Sequence, residues 1–411
     1  MKPKLLFISP RYLIPADSGG KVRTRDVLMG LKGGRFDVTL LAPCTEEKRA
    51  VDRAQLGELC DEFIFWPESP RGSLFPLYRL LCLLSPLPLS VATDRSAAAT
   101  RHITQALGAK PDVVVVDFPH TGVLVPRNVS VPTVLFTHNI EAEIFRRHAD
   151  VAKSAAWRAV WRAQTAKMER FEREQLGRYD AVIAISERDK AYFESNHHRQ
   201  NVAMIPTGLN LKQNPFQSPP SAGVPKIVFC GSMDWLGNID AMEYFADEIW
   251  PRIVAARPQA QFTVVGRTPP SALIELVRQR GYQWTFTGYV DDVRPFIYAA
   301  QMCVIPLRVG GGTRLKVYEA MGLGCPVVST TIGVEGLPVA PGVHYELADA
   351  PQDFADAVIR LVDNPLQREN LAQNARHYVE ENFSSEKVAR VFEDICASVC
   401  RQSMGSDSID F

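Results

Sequence analysis

Between Val304 and Leu337 the chain reads VIPLRVGGGTRLKVYEAMGLGCPVVSTTIGVEGL. An apolar strand (Val304, Ile305, Leu307) breaks at Gly310-Gly311-Gly312, and a helix pattern starts at Thr313. That pattern stops at Gly322-Leu323-Gly324, and a second strand begins at Pro326-Val327-Val328. Strand, glycine turn, helix and strand make a βαβ unit, in which the helix N-terminus faces a ligand beyond the strand ends. Thr313 is the N-cap candidate. The next turn carries Arg314 and Lys316, the wrong sign for the positive end of a helix dipole. Two cations there make sense if a phosphate or diphosphate sits between them and the glycine amides. Glu319 follows Lys316 by three residues and shares its helix face.

Two nucleotide motifs are excluded. The dinucleotide fingerprint fails because Leu315 stands where its third glycine belongs, and the stretch is not a Walker A loop. The plain alternative is a βα turn that needs glycine, followed by a surface salt bridge.

The pattern R-x-G-G-G-T-R-x-K-x-x-E-A-M-x-x-G-x-P-V-V-S-T-x-x-G-x-E-G-L, from Arg308 to Leu337, resembles the nucleotide-sugar signature of the retaining family 4 glycosyltransferases. It is closest to a subgroup, often found in exopolysaccharide gene clusters, with a glycine run and an Arg/Lys pair at this place. The resemblance implies an α/β chain of the GT-B fold, two Rossmann-like domains facing each other across a cleft. In that family two glutamates flank seven residues; the first contacts the transferred sugar and the second the ribose. Glu319 matches the second, while Gly311 stands in place of the first, which leaves open how the sugar ring is gripped and which sugar it is.

At 411 residues there is material for two ordinary domains. Lys plus Arg and Asp plus Glu number 46 each, so no bulk field favours nucleic acid. The 8 cysteines are scattered without a C-x-x-C, which suits reduced, buried thiols in a cytoplasmic protein rather than a disulfide framework or zinc site. The start, MKPKLLFISPRYLIP, reads as a first strand rather than a signal peptide, and no window approaches a membrane span. The expected domains are residues 1–211, a linker at 212–225 rich in Pro, Ser and Gln, and residues 226–383. A terminal helix at 384–402, with Val388, Phe392, Ile395 and Val399 on one apolar face, is expected to cross back to the first domain by the same resemblance; 403–411 read as a loose tail.

In the first half, Lys4–Ser9 and Phe36–Ala42 read as strands, Asp112–Asp117 and Thr133–Phe136 are continuous apolar runs, the mark of buried parallel strands, and Ala181–Ser186 reads as another buried strand. Gly19-Gly20 opens a helix whose first turns carry Lys21, Arg23 and Arg25. The family resemblance brings this loop to the donor phosphate or the acceptor; a basic, solvated turn is an equal alternative. His138 follows the Thr133–Phe136 run at a strand C-terminus, and resembles the family histidine that hydrogen-bonds the donor sugar. Leu74–Val91 is the most apolar local stretch; such a segment more often packs on its own domain than it touches lipid or a lipid-linked acceptor. Trp157, Trp161, Met168 and Phe171 fall on one face of a helical region spanning Arg146–Arg178.

In the second half, Cys230-Gly231-Ser232 follows the strand Lys226–Phe229. The family often places a Lys or Arg further along this loop, where Asn238, Ile239 and Asp240 stand here; this shifts the neutralisation of phosphate to Arg314 and Lys316. By resemblance, the Thr287–Val290 backbone, with Tyr289 and Val290, brackets the base. Asp291 and Asp292 read as helix caps rather than metal ligands, and no D-x-D demands a metal.

The expectation is a retaining glycosyltransferase with no cofactor beyond a nucleoside-diphosphate sugar as co-substrate. The acceptor is a glycan or a lipid-linked acceptor in cell-surface polysaccharide synthesis, reached by peripheral contact with the inner membrane face. Arg314, Lys316 and His138 would serve catalysis. Glu319, Gly311, Gly312, Thr313, Gly19, Gly20, Gly231, Tyr289 and Val290 would bind the donor, with domain closure over the linker bringing Gly19-Gly20 to the phosphates. Two other readings stay open: a catalytically silent binding subunit, and a GT-B-fold sugar-nucleotide epimerase.

Overall fold

A computed structural model describes residues 2–68, 72–150, 154–206, 208–211, 214–309 and 315–406. The chain forms two compact domains, Met1–Gly208 with Ser385–Phe411, and Leu209–Ser384. Each is built on one parallel sheet.

The first sheet contains β1 (Lys4–Ile8), β2 (Asp37–Cys44), β3 (Glu62–Pro67), β4 (Val113–Asp117), β5 (Thr133–Phe136), β6 (Ala181–Ala184) and β7 (Val202–Met204), in the order β3-β2-β1-β4-β5-β6-β7. Helices cover both faces, so β4 and β5 are buried at every position, as their unbroken apolar runs require. The strand order reverses between β1 and β4. There adjacent crossovers depart to opposite faces and leave a crevice at the strand C-termini. Ser9, just past β1, and Asp117, the last residue of β4, stand at that point.

The terminal helix, Ser385–Ser406, belongs to this first domain. Val388, Phe392, Cys396 and Val399 are buried in one cluster with Leu5, Phe7, Val113 and Phe136. Phe392 meets Phe136 edge to face at 5.2 Å. The helix Gly19–Leu31 packs beside it through Gly30, where any β-carbon would lie 2.2 Å from the Ala389 β-carbon.

The second sheet contains β8 (Lys226–Cys230), β9 (Gln261–Val265), β10 (Trp284–Phe286), β11 (Met302–Ile305), β12 (Val327–Ser329) and β13 (Glu346–Leu347), in the order β10-β9-β8-β11-β12-β13. Its reversal lies between β8 and β11, and the helix Leu315–Leu323 follows β11. The segment read as a linker is pinned onto this domain where it is described. Arg376 donates to the Asn214 carbonyl, Tyr298 to that of Pro215, and Arg368 to those of Pro220 and Ser221. Residues 212 and 213 lie outside the described residues.

Two expectations about helices are corrected. The region Arg146–Arg178 is split into Glu141–Asp150 and Ala155–Arg178, and Trp157 is 62% exposed while Met168 and Phe171 are buried. The expected shared face fails because the N-terminal end of the second helix extends past the buried cluster formed by Val91, Ala142, Met168 and Phe171. Leu74–Val91 does not pack uniformly on its own domain. Val91 and Ala92 are buried, but Leu74, Leu77, Leu80, Leu81 and Leu84 face solvent. Apolar composition alone could not show which part of this stretch has a partner.

Candidate functional site

In the second domain the polar groups gather at the ends of β8, β9 and β11. The turn after β8 is held to the turn after β9, with Gly231 N–H donating to the Val265 carbonyl and Met233 N–H to that of Arg267. A β-carbon on Gly266 would stand 1.9 Å from the Gly231 carbonyl oxygen, so the two turns meet backbone to backbone. A β-carbon on Gly231 would lie 2.8 Å from Asn238 Nδ2 and 2.9 Å from Lys316 Nζ. Glycine therefore leaves room at the strand end for an amide and an ammonium.

Lys316, in the first turn of Leu315–Leu323, is half-buried and donates to Asn238 Oδ1 at 2.8 Å. Asn238 in turn donates to the Ser232 carbonyl at 2.7 Å. The ammonium also lies over the Phe229 ring, 4.5 Å from its centre. Asn238 thus orients the cation through a neutral oxygen and leaves its charge uncompensated by that partner. Glu319, three residues on and half-buried, shares the helix with Lys316. Both charges act on the buried thiols of Cys230 and Cys303, which burial pushes up; the lysine opposes this rise and the glutamate adds to it. Gly311, Gly312, Thr313 and Arg314 lie outside the described residues. Of the base-bracketing pair, Tyr289 is exposed and Val290 half-buried, next to Gly288 with φ +68°.

Sequence reasoning assigned no role to two arginines at this sheet end. Arg308, past β11, pairs with Asp240 at 2.6 Å and lies over the Tyr244 ring at 4.5 Å. Arg267, past β9, donates to Ser232 Oγ and to Asp234, each at 3.0 Å. Their signal in the sequence was position: each follows an apolar strand within a few residues. Asp292 accepts from the Arg294 backbone N–H at 2.9 Å and from its guanidinium at 2.8 Å, but Val293 occupies the N-cap position, so the cap reading is corrected: Asp292 stabilises the turn that precedes the helix. Among the described residues, no group of three or more His, Cys, Asp or Glu is arranged to hold a metal ion.

The first domain carries a separate network at its own strand-order reversal. His138, past β5, is buried with Phe118 stacked on it at 3.9 Å. Its Nε2 meets Asp117 Oδ1 at 2.6 Å, and its Nδ1 meets Arg23 Nη1 at 2.9 Å. Asp117 also accepts from Ser9 Oγ at 3.0 Å and from Thr24 Oγ1 at 3.1 Å. A guanidinium can only donate, so His138 Nδ1 accepts and the ring proton sits on Nε2. Burial lowers the His138 pKa below its ordinary value and the adjacent Arg23 adds to this, outweighing the pull of Asp117. Burial also draws Arg23 down to about 10, opposed by Asp189, Asp117 and Asp26.

This corrects the solvated-turn alternative for Gly19–Leu31, since Arg23 is buried; Lys21 pairs with Asp17 at 3.0 Å and Arg25 with Asp26 at 2.8 Å. It also shows that both His138 nitrogens are engaged within their own domain. Asp117 was missed as a partner, although an acid ending an otherwise apolar run was a readable signal. In the same domain, His120 and Glu141 form a buried pair at 3.4 Å, with the carboxylate raising the histidine's pKa against the effect of burial. All eight cysteines are buried and free. No described helix is long and apolar enough to cross a membrane.

Residues 18–213 match the model of Glycosyltransferase Family 4, and residues 224–364 that of Glycosyl transferases group 1. An uncharacterised 44.6 kDa protein in the cps region of Klebsiella pneumoniae is 26% identical over 168 residues, 39% of this chain and 43% of that protein. A GDP-mannose-dependent monoacylated α-(1-6)-phosphatidylinositol monomannoside mannosyltransferase of Corynebacterium glutamicum is 30% identical over 159 residues, 36% of this chain and 42% of that protein. These matches thus span under half the length of either relative. Anabaena HepE, solved with UDP and glucose, superposes with a TM-score of 0.68 at 15% identity, covering 96% of this chain and 100% of that one. Staphylococcus aureus TarM gives 0.70 at 11% identity, with 96% and 99% covered.

Proposed function

We propose that this chain, which belongs to the family 4 glycosyltransferases, transfers a sugar from a nucleoside diphosphate with retention of anomeric configuration. The observation that carries the reading is Lys316, held by Asn238 beside the bare Gly231 turn, at the strand-order reversal of the second sheet. Departure of the diphosphate places negative charge where that ammonium and the amides at the start of its helix can receive it. Preorganised charges of this kind contribute several kcal/mol, roughly 2.7–4 for one donor, when water is excluded. Arg314 shares the task in this reading, which assigns neutralisation to side-chain cations rather than to a metal ion. Glu319, one turn further along, holds the ribose hydroxyls. The departing phosphate itself takes the acceptor proton, so no dedicated base is needed.

The solved complexes of Anabaena HepE with UDP and with UDP-glucose support a nucleotide-sugar donor. The cps-region relative and the lipid-mannoside enzyme support a cell-surface polysaccharide or lipid-linked acceptor.

The test is thermal-shift measurement against a panel of nucleoside diphosphates and nucleotide sugars, with Glu319→Ala beside the wild type. One nucleotide is expected to stabilise the wild type by several degrees and the variant much less. No shift with any nucleotide, or equal shifts in both proteins, would overturn the donor-site assignment.

A further inference from the structure

The turn that leads from β8 into the helix Leu236–Tyr244 carries two large apolar side chains that the second domain leaves uncovered. Trp235 is 39% exposed and Leu236 63% exposed. Trp235 occupies the N-cap position, a place that favours Ser, Thr, Asp or Asn, and its side chain makes no capping bond. The indole instead lies against Gly237, where any β-carbon would stand 2.6 Å from its Cη2 and 2.8 Å from its Cζ2 and Cζ3. Glycine at 237 thus lets the ring fold down onto the first turn of the helix. Among the described residues no second ring stacks on the indole, and its Nε1–H, which can only donate, has no acceptor. The ring is backed by the helix and still open to a ligand.

Its surroundings indicate what that ligand is. The Trp235 carbonyl accepts from Asn238 N–H at 3.0 Å and from Ile239 N–H at 3.2 Å, while Asn238 Oδ1 holds the Lys316 ammonium at 2.8 Å. A single hydrogen-bonded residue therefore joins the indole's backbone to the cation assigned to the diphosphate. The polar side chains around it are occupied with one another. Arg267 donates to Ser232 and Asp234, and Ser232 Oγ donates to Asp234 at 2.6 Å. Asn238 is shared between Lys316 and the Ser232 carbonyl, and Arg308 is paired with Asp240. Residues 310–312 are all glycine and supply no side chain. A sugar carried on the diphosphate thus meets few uncommitted hydrogen-bonding side chains at this sheet end, but an aromatic ring with a leucine beside it. A pyranose suits such a wall, because its ring C–H bonds form apolar patches on its faces while its hydroxyls crowd the rim. Small-molecule sites are walled by apolar and aromatic side chains in this way, and the large apolar face of Trp fits a ligand that is wet at its edge.

We infer that Trp235, with Leu236 beside it, packs on the C–H face of the donor's pyranose ring and selects the sugar by that face rather than by a carboxylate on its hydroxyls. The inference rests on the donor site proposed for this domain and adds the class of sugar contact made there.

Isothermal titration with matched ligands separates the two: UDP with UDP-glucose and UDP-galactose, GDP with GDP-mannose, and dTDP with dTDP-rhamnose. For the set that the wild type binds, Trp235→Ala is expected to weaken the sugar nucleotide about tenfold and the nucleoside diphosphate less than about twofold. Trp235→Phe keeps an aromatic face and should hold the sugar nucleotide to within about threefold of the wild type. Because the indole is partly exposed, the melting temperature of either unliganded variant should fall by less than about 3 °C. Equal weakening of both ligands by Trp235→Ala, or weakening of neither, would overturn the inference and leave the donor site standing. So would a wild type that binds a nucleoside diphosphate and none of its sugar forms, since the sugar would then gain no contact here. A wild type that binds none of these ligands would overturn the donor-site reading itself, and this inference with it.

Discussion

Arg23 donates to Nδ1 of His138 at 2.9 Å, and this contact decides which proton the histidine keeps. With Nδ1 an acceptor, Nε2 donates to Asp117, and a second ring proton would have to face a guanidinium inside the domain. His138 is therefore a neutral polar bolt across β1, β4, β5 and the helix Gly19–Leu31, rather than a titrating group at neutral pH.

His138→Gln should lose both ring hydrogen bonds and the stack on Phe118, costing about 2–3 kcal/mol at pH 7.5. The pH dependence has a defined sign. Because the folded pKa lies below the ordinary value of 6.5, wild type and unfolded chain bind equal protons at this group above that pH. Below it the unfolded chain protonates first, so this contribution is lost as the pH falls through the folded pKa. The stability gap between wild type and variant should narrow from pH 7 to pH 5.5 in urea titrations. A gap that widened over that range would show that the native histidine is charged.

Lys316 acts on a ligand only if Asn238 orients it without neutralising it. Lys316→Ala should lower kcat/KM by roughly 10²–10³ while leaving the melting temperature nearly unchanged. Asn238→Asp places a carboxylate where a neutral oxygen now sits 2.8 Å from the ammonium, and should raise the donor KM more than Asn238→Ala does. The reverse ranking would show that Asn238 works by packing or by its bond to Ser232, and not by sparing charge.

The sheets were legible because parallel strands buried on both faces need continuous apolar runs, and Lys4–Ser9, Asp112–Asp117 and Thr133–Phe136 supply them. The βαβ pattern around Lys316 was legible for a related reason: it compresses strand, turn and helix into one local stretch. The His138 network was not, because its members at 9, 23, 24, 117 and 138 meet only through the strand order, which no local pattern encodes. Leu74–Val91 misled because hydropathy reports a side chain's preference, not whether the fold supplies a partner. Trp157 misled in the same way. Pro-rich 212–225 resembled a tether, yet proline removes donors without removing carbonyls, and Arg368 and Arg376 use those carbonyls to pin it down.

The meeting of Gly231 and Gly266 should be more sensitive than either glycine alone suggests. In Gly266→Ala the new methyl would sit 1.9 Å from a backbone oxygen, which can move only with its strand. The expected cost is about 1–3 kcal/mol, with a loss of nucleotide-induced thermal shift because the floor beneath Lys316 moves. Gly57→Ala is the control: this glycine lies in the helix Arg53–Leu59 with nothing within 4 Å of its β-position. It should gain about 0.5–1 kcal/mol from helix propensity and leave the nucleotide shift intact. Equal responses to the two substitutions would mean that the turns are free to separate.

Two contacts of different kinds stand out where the terminal helix Ser385–Ser406 packs on the rest of the first domain. Phe392 fills the core against Phe7 and Phe136, while Gly30 lets the neighbouring helix approach Ala389 without a gap. Phe392→Ala should cost about 3–5 kcal/mol through cavity formation, and Gly30→Ala about 1–3 kcal/mol through overpacking. If the helix docks as a rigid body, pushing it out at Gly30 already weakens the packing of Phe392. The double variant should then cost less than the sum of the single ones in urea unfolding. Agreement with the sum to within about 0.5 kcal/mol would mean that the two contacts fail independently, and that the helix bends between them.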